Sequence, residues 1–191
     1  MLKDLGVKPY LFPMPVLMIA TYNPDGTVDV MNMAWGGICD GNMVALNITE
    51  THKTAQNIKE RMAFTVSIAD IDHIEAADFF GIASANKMSD KFERSGLHAE
   101  KSSRVDAPVV TDFPVTLECK VKELQHPDSG FRVVGEIVNV LADEKVLDEN
   151  GKVDPLKLHA FVFDQFQSGY YAIGEKVGRA WHTGAPLMKD E

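Results

Sequence analysis

Cysteine is scarce: only Cys39 and Cys119 occur among 191 residues. Two thiols cannot build the disulfide framework of a small secreted domain. Neither stands in a CxxC or Cys/His spacing suited to zinc, so both are expected to be reduced. Basic residues are also few, 19 Lys and Arg against 28 Asp and Glu, for a formal net charge of -9. Non-specific nucleic-acid binding needs clustered cations to displace counterions from phosphates, and this balance argues against it. Any anionic ligand would need a locally basic pocket. The apolar run from Pro13 to Ala20 is too short to span a bilayer. Met1 to Met14 lacks a basic segment followed by an apolar run and a small-residue cleavage site, so the expected location is a cytoplasm, with no membrane partner. Neither GxGxxG nor GxxxxGK followed by Ser or Thr is present, so no Rossmann or P-loop nucleotide site is signalled.

What the chain does have is an ordinary globular composition, 45% apolar and 25% charged, enough for one sizeable core. A single domain over residues 1–191 is the expectation. Val16 to Tyr22 reads as a strand ended by the turn residues Asn23-Pro24-Asp25-Gly26, and a returning strand starts near Thr27. Its alternation fails from Met31 to Gly37, which reads as a loop. Met43 to Ile48 reads as a strand, followed by a helix with Ala55, Ile58 and Met62 on one side and Thr51 as its N-cap. Ala63 to Ile68 is a strand, and a second helix runs from about Asp72 to Ile82, capped by Asp70 or Asp72. Ala85 to Asp112 shows little periodicity. Val115 to Val121 alternates, and Pro127-Asp128-Ser129-Gly130 turns it into Phe131 to Leu141, a long two-stranded ribbon. Asp148 to Gly151 is a turn, Leu158 to Phe163 a short strand, and Gly174 to Glu191 a polar tail. Many short strands with two convincing helices favour a closed or partly closed antiparallel barrel with inserted helices.

Three segments could carry chemistry. Asp29 to Gly37, with Asn32-Met33-Ala34-Trp35 at its centre, lies where a strand leaves its sheet. Backbone amides could bond the edge of a flat heteroaromatic ring there while an aromatic covers its face, although a β-bulge beside a core Trp has the same look. Thr51-His52-Lys53-Thr54 opens a helix, where free amides, the dipole and Lys53 favour a phosphate; a capped surface helix is the plainer alternative. Ser84 to Phe92 includes Ser89 and carries Lys87 and Lys91, which could each reach a phosphate as mobile charges, or it forms a solvated loop. His98, His126, His159 and His182 lack metal-ligand spacing, and no nucleophile–base arrangement is visible, so no metal or catalytic side chain is expected. The acidic face of Asp70, Asp72, Glu75 and Asp78 reads as solvated.

In this order the segments resemble the flavin reductase-like family, with its FMN-binding split β-barrel, and flavoredoxin-like members especially. The matching pieces are Pro13 to Leu17 with Thr21 and Gly26, Asn32 to Trp35, the helix after Lys53-Thr54, Ser89 to Phe92 with Ser95-Gly96-Leu97, Leu117-Glu118-Cys119, Gly135-Glu136-Ile137, and Tyr171 with Gly174. The resemblance implies a homodimer with FMN near the subunit interface. It puts the phosphate by Thr54 and Lys91, with Lys53 and Ser89 in the same regions. The ring falls to Asn32, Met33, Ala34 and Trp35, and Phe163 contacts the cofactor. Two features depart from the family pattern. Asp29 stands where Asn is frequent, and a carboxylate would repel the electron-rich edge of a reduced flavin unless it faces elsewhere. Phe131 and Arg132 stand where many members have a Gly-Asp-His-like turn; Phe131 lacks a polar contact, which tells against a nicotinamide donor, and Arg132 could recognise an anionic partner.

The function implied is an FMN-dependent oxidoreductase passing reducing equivalents from NAD(P)H or a protein donor to a small-molecule or protein acceptor. The alternatives are a non-catalytic flavin-binding or redox-sensing module, and a structural barrel without cofactor.

Overall fold

The computed structural model describes residues 1–127 and 130–188. The middle of the expected Pro127 to Gly130 turn and the last three residues of the tail lie outside the described residues. The strands and helices are, in chain order, β1 (Met14–Pro15), β2 (Leu17–Tyr22), β3 (Val28–Met33), β4 (Gly36–Asp40), β5 (Met43–Ile48), α1 (Lys53–Arg61), β6 (Ala63–Ile68), α2 (Ile74–Ile82), α3 (Lys91–Arg94), β7 (Ala99–Lys101), β8 (Pro108–Val110), β9 (Val115–Gln125), β10 (Phe131–Ala142), β11 (Phe161–Asp164) and β12 (Gly169–Ala172).

Seven strands form one antiparallel sheet in the order β3-β2-β6-β9-β10-β5-β4. Its two outermost strands, β3 and β4, are joined by Ala34 and Trp35 alone. A link that short spans roughly 10 Å, at about 3.5 Å per residue step. The sheet must therefore curl until its edges nearly meet, without ladder hydrogen bonds closing the seam, and this is the expected split barrel. Ile19, Leu46, Phe64 and Val133 fill its interior. The smaller sheets are β1-β11-β12 and β7-β8.

Close approach explains two glycines on the barrel wall. A Cβ at Gly135 would lie 2.5 Å from Phe64 Cζ, and the ladder between β9 and β10 shifts register at that point. A Cβ at Gly36 would come 3.0 Å from Leu17 Cδ1 and 3.2 Å from the Ala45 carbonyl. Gly36 and Gly37 thus open strand β4, where a loop was expected, and β3 continues to Met33.

Helix α1 is pinned against the first hairpin. Asn57 Nδ2 donates to Thr21 Oγ1 at 3.1 Å and to Asn23 Oδ1 at 2.9 Å, and Arg61 Nη2 donates to the Asn23 carbonyl at 2.8 Å. Its N-cap is His52, with no side-chain cap hydrogen bond, which corrects the expectation of Thr51. Asp70 does cap a single 3-10 turn, Ile71–His73, that leads into α2. The segment with little periodicity holds α3, β7 and β8, each too short to show a period. The late strand is Phe161–Asp164, later than expected, and pairs with β12, which alternation did not reveal. Among the described residues, no helix is long and apolar enough to cross a membrane and no cluster could hold a metal.

Candidate functional site

Strand β3 presents two faces to two helices. Met31 and Met33 pack into the barrel core with Ala55 and Ile58 of α1, while Val30 packs with Ala77 and Phe80 of α2. Period-two alternation therefore directs Asp29 toward α1 and Asn32 toward α2. Asn32 Nδ2 donates to the Ala77 carbonyl at 2.9 Å. Thr54 Oγ1 donates to Asp29 Oδ2 at 2.5 Å.

A pocket opens between these elements, lined by Asp29, Asn32, Lys53, Thr54, Gly81 and Lys91 among others. Lys91, expected as a mobile surface charge, is only 4% exposed, and its Nζ donates to the Phe80 carbonyl at 3.1 Å. Stacking of Phe80 on Phe92, with centroids 6.3 Å apart, locks α3 to α2 and holds that ammonium in place. Burial pulls the Lys91 pKa down, and attraction from Asp29 opposes this. Asp29 is 2% exposed, and its Oδ1 has no hydrogen-bond partner. Burial raises its pKa, against the Thr54 hydrogen bond and the pull of Lys91, Lys53 and His52. The α1 N-terminus at the pocket has no side-chain cap and no acidic residue in its first turn.

The other end of the same groove is aromatic. Met33, Ala34, Trp35, Gly81, Ile82, Phe163 and Tyr170 line it, and Asn32 belongs to both ends. Trp35 sits at the barrel seam, 49% exposed, its ring centroid 6.5 Å from that of Phe163. Its carbonyl accepts from the Asn47 amide at 2.9 Å, which fixes the seam against β5. Phe163 in turn lies 6.1 Å from Tyr170. Tyr170 OH donates to Asp78 Oδ1 at 2.9 Å; burial first, then Asp78, push the phenol up to about 12.

Of the residues expected at a site, Asn32, Met33, Ala34, Trp35, Lys53, Thr54, Lys91 and Phe163 therefore line two adjoining pockets that share Asn32, Gly81 and Ile82. Ser89 does not: it is exposed and lines neither. Thr54 is there in a different role, since its hydroxyl proton is given to Asp29. Asp29 lines the basic pocket, whose lining does not include Trp35. Phe131 is a core residue, 1% exposed, with Lys59 Nζ 4.7 Å above its ring. Sequence reasoning missed Tyr170, Asp78 and the Phe80 carbonyl. The Gly169-Tyr170-Tyr171 run was a signal for the first; a backbone carbonyl leaves none.

A flat ring fits the aromatic end, and a phosphate fits the pocket where an uncapped helix, Lys53 and buried Lys91 converge. Fold and groove together define an antiparallel split-barrel protein with one aromatic and one cationic end to its cleft. The chain belongs to the flavin reductase like domain family, whose model matches residues 10–167. It is similar to the flavoredoxin of Desulfovibrio vulgaris (Miyazaki F), at 33% identity over 96% of this chain and 100% of that one, with a TM-score of 0.91. The flavoredoxin from Methanosarcina acetivorans shares the fold at 23% identity, 98% and 100% coverage and a TM-score of 0.88. So does nitrilotriacetate monooxygenase component B from Bacillus cereus, at 17% identity, 94% and 100% coverage and a TM-score of 0.80.

Proposed function

We propose that the chain binds FMN in this groove and serves as an oxidoreductase, with NAD(P)H or a protein as donor. The observation that carries the reading is the meeting at Asn32 of an aromatic end, Trp35 with Phe163, and a cationic end holding Lys53 and buried Lys91. When bound, the flavin supplies the redox chemistry; the protein supplies placement and electrostatics. Trp35 and Phe163 hold the ring plane at the seam. Tyr170, whose hydroxyl donates to Asp78, narrows the cleft beside the ring. Lys53, Lys91 and the first amides of α1 neutralise the phosphate.

Membership of the family and 33% identity to a flavoredoxin support this reading. The absorbance spectrum of the purified protein, before and after soaking with FMN, tests it, with mass identification of any released flavin. Flavin bands are expected; their absence after soaking would leave only a cofactor-free barrel. Stopped-flow mixing of the loaded protein with NADH and with NADPH then separates a nicotinamide donor from a protein donor, and reduction by either nucleotide would also exclude a purely storage role.

We further propose a homodimer. The seam leaves β3 and β4 as sheet edges, and β4 carries Ile38 with 64% of its surface in solvent, an edge that a second copy would cover.

A further inference from the structure

Among the described residues, two carboxylates are nearly inaccessible in the barrel wall yet differ in how they are satisfied. Glu118 accepts hydrogen bonds at both oxygens, from Ser102 Oγ and from Asn139 Nδ2. Asp29, which lines the pocket, accepts at Oδ2 alone, while its Oδ1 is buried without a partner. A buried polar atom left unpaired costs free energy, of order 1–3 kcal/mol, and a bound ligand is one group that can satisfy it.

The groups facing Asp29 are Thr54, Lys53 and His52 at the start of α1 and Lys91 on α3. All three of the titratable ones favour the carboxylate, yet burial outweighs them and raises its pKa. A phosphate dianion in the same pocket would add two negative charges beside it. Like charges in a desolvated site cannot both persist, and the carboxylate yields by taking up a proton. Once protonated at Oδ1, Asp29 becomes a donor while Oδ2 still accepts from Thr54, so every polar atom of the side chain has a use. Lys91, released from the carboxylate's pull, is left to the phosphate.

We propose, resting on the FMN reading above, that Asp29 meets the phosphate as the neutral acid and donates to it from Oδ1, so that binding draws one proton from solvent. The balance is simple: carboxylate plus a solvent proton gives the acid, and no bond of the ligand changes. Asp29 is then a specificity-determining residue that ties affinity for the phosphorylated flavin to pH.

Calorimetric titration of the wild-type chain with FMN and with riboflavin, in buffers of differing ionisation enthalpy at several pH values from 7 to 9, reads the proton count directly. The range lies above the second ionisation of a phosphate monoester, about 6. Wild type should take up between about half a proton and one proton with FMN and none with riboflavin, and its FMN affinity should fall up to about tenfold per pH unit across the window. Asp29→Asn should bind riboflavin as wild type does, take up no proton with FMN and lose the pH slope. The proposal is overturned if wild type takes up no proton with FMN at any of these pH values, or if Asp29→Asn takes up as much. The wild-type comparison stands even if the variant fails to fold. Equal affinity for FMN and riboflavin would instead defeat the placement of the phosphate itself, a distinct outcome.

Discussion

Thr54 Oγ1 gives its only proton to Asp29 Oδ2 across 2.5 Å, joining the first turn of α1 to the start of the barrel's edge strand. The hydroxyl can still accept but has nothing left to donate to an anion. Replacing Thr54 therefore acts on Asp29 first. Thr54→Val, close in shape, should destabilise the ligand-free protein by about 1–3 kcal/mol at pH 7, since it strands the carboxylate completely. Thr54→Ser should retain most of the stability. Urea unfolding of both variants checks this, and a loss in Thr54→Ser as large as that in Thr54→Val would mean that the methyl packing matters as much as the hydrogen bond.

Burial keeps Asp29 protonated in the folded chain at pH values where the unfolded chain has released the proton. The contribution to stability is full below the unfolded value of about 3.9 and is lost as pH rises through the raised folded value. Between pH 4 and pH 7 the urea midpoint of ligand-free wild type should thus fall further than that of Asp29→Asn. Parallel pH profiles would show that Asp29 titrates alike in both states.

Much of the barrel was legible from period-two alternation. Val115 to Val121 and Phe131 to Leu141 are long enough to show it, and they became β9 and β10, paired along their length with two register shifts. β4 was hidden because Gly36 and Gly37 carry no side chain from which a period can be read. The site was legible in its parts, Asn32 to Trp35, Lys53 and Lys91, but their burial was not. Lys91 reads as a surface cation because its cover, Phe80 stacked on Phe92, comes from a helix 11 residues earlier. Asp29 stood out only as a departure from a family pattern; its unpaired Oδ1 is a three-dimensional fact.

Trp35 and Trp181 make an internal comparison. Trp35 faces Phe163 at the seam, while Trp181 is 98% exposed in the tail. Trp35→Ala should weaken flavin binding at least tenfold, and Trp181→Ala should weaken it much less. Fluorescence titration giving equal losses would move the ring away from the seam.

Gly135→Ala forces a methyl to within 2.5 Å of the Phe64 ring, which is fully buried. Overpacking of this kind costs about 1–3 kcal/mol. A urea midpoint unchanged from wild type would show that the wall yields at this bulge.

Sedimentation at micromolar concentration should find a dimer. A folded, FMN-loaded monomer would mean that the β4 edge and Ile38 are left to solvent.

In the proposed complex the phosphate of FMN lies at Lys91. Hydrogen bonds to charged groups are worth about 1.5–3 kcal/mol, so Lys91→Met should weaken FMN by about one to two powers of ten. Riboflavin has no phosphate and should bind wild type and variant alike. Titrating both proteins with both flavins gives the comparison: a loss confined to FMN is the predicted result, and an equal loss for riboflavin, or no loss for either, would contradict it.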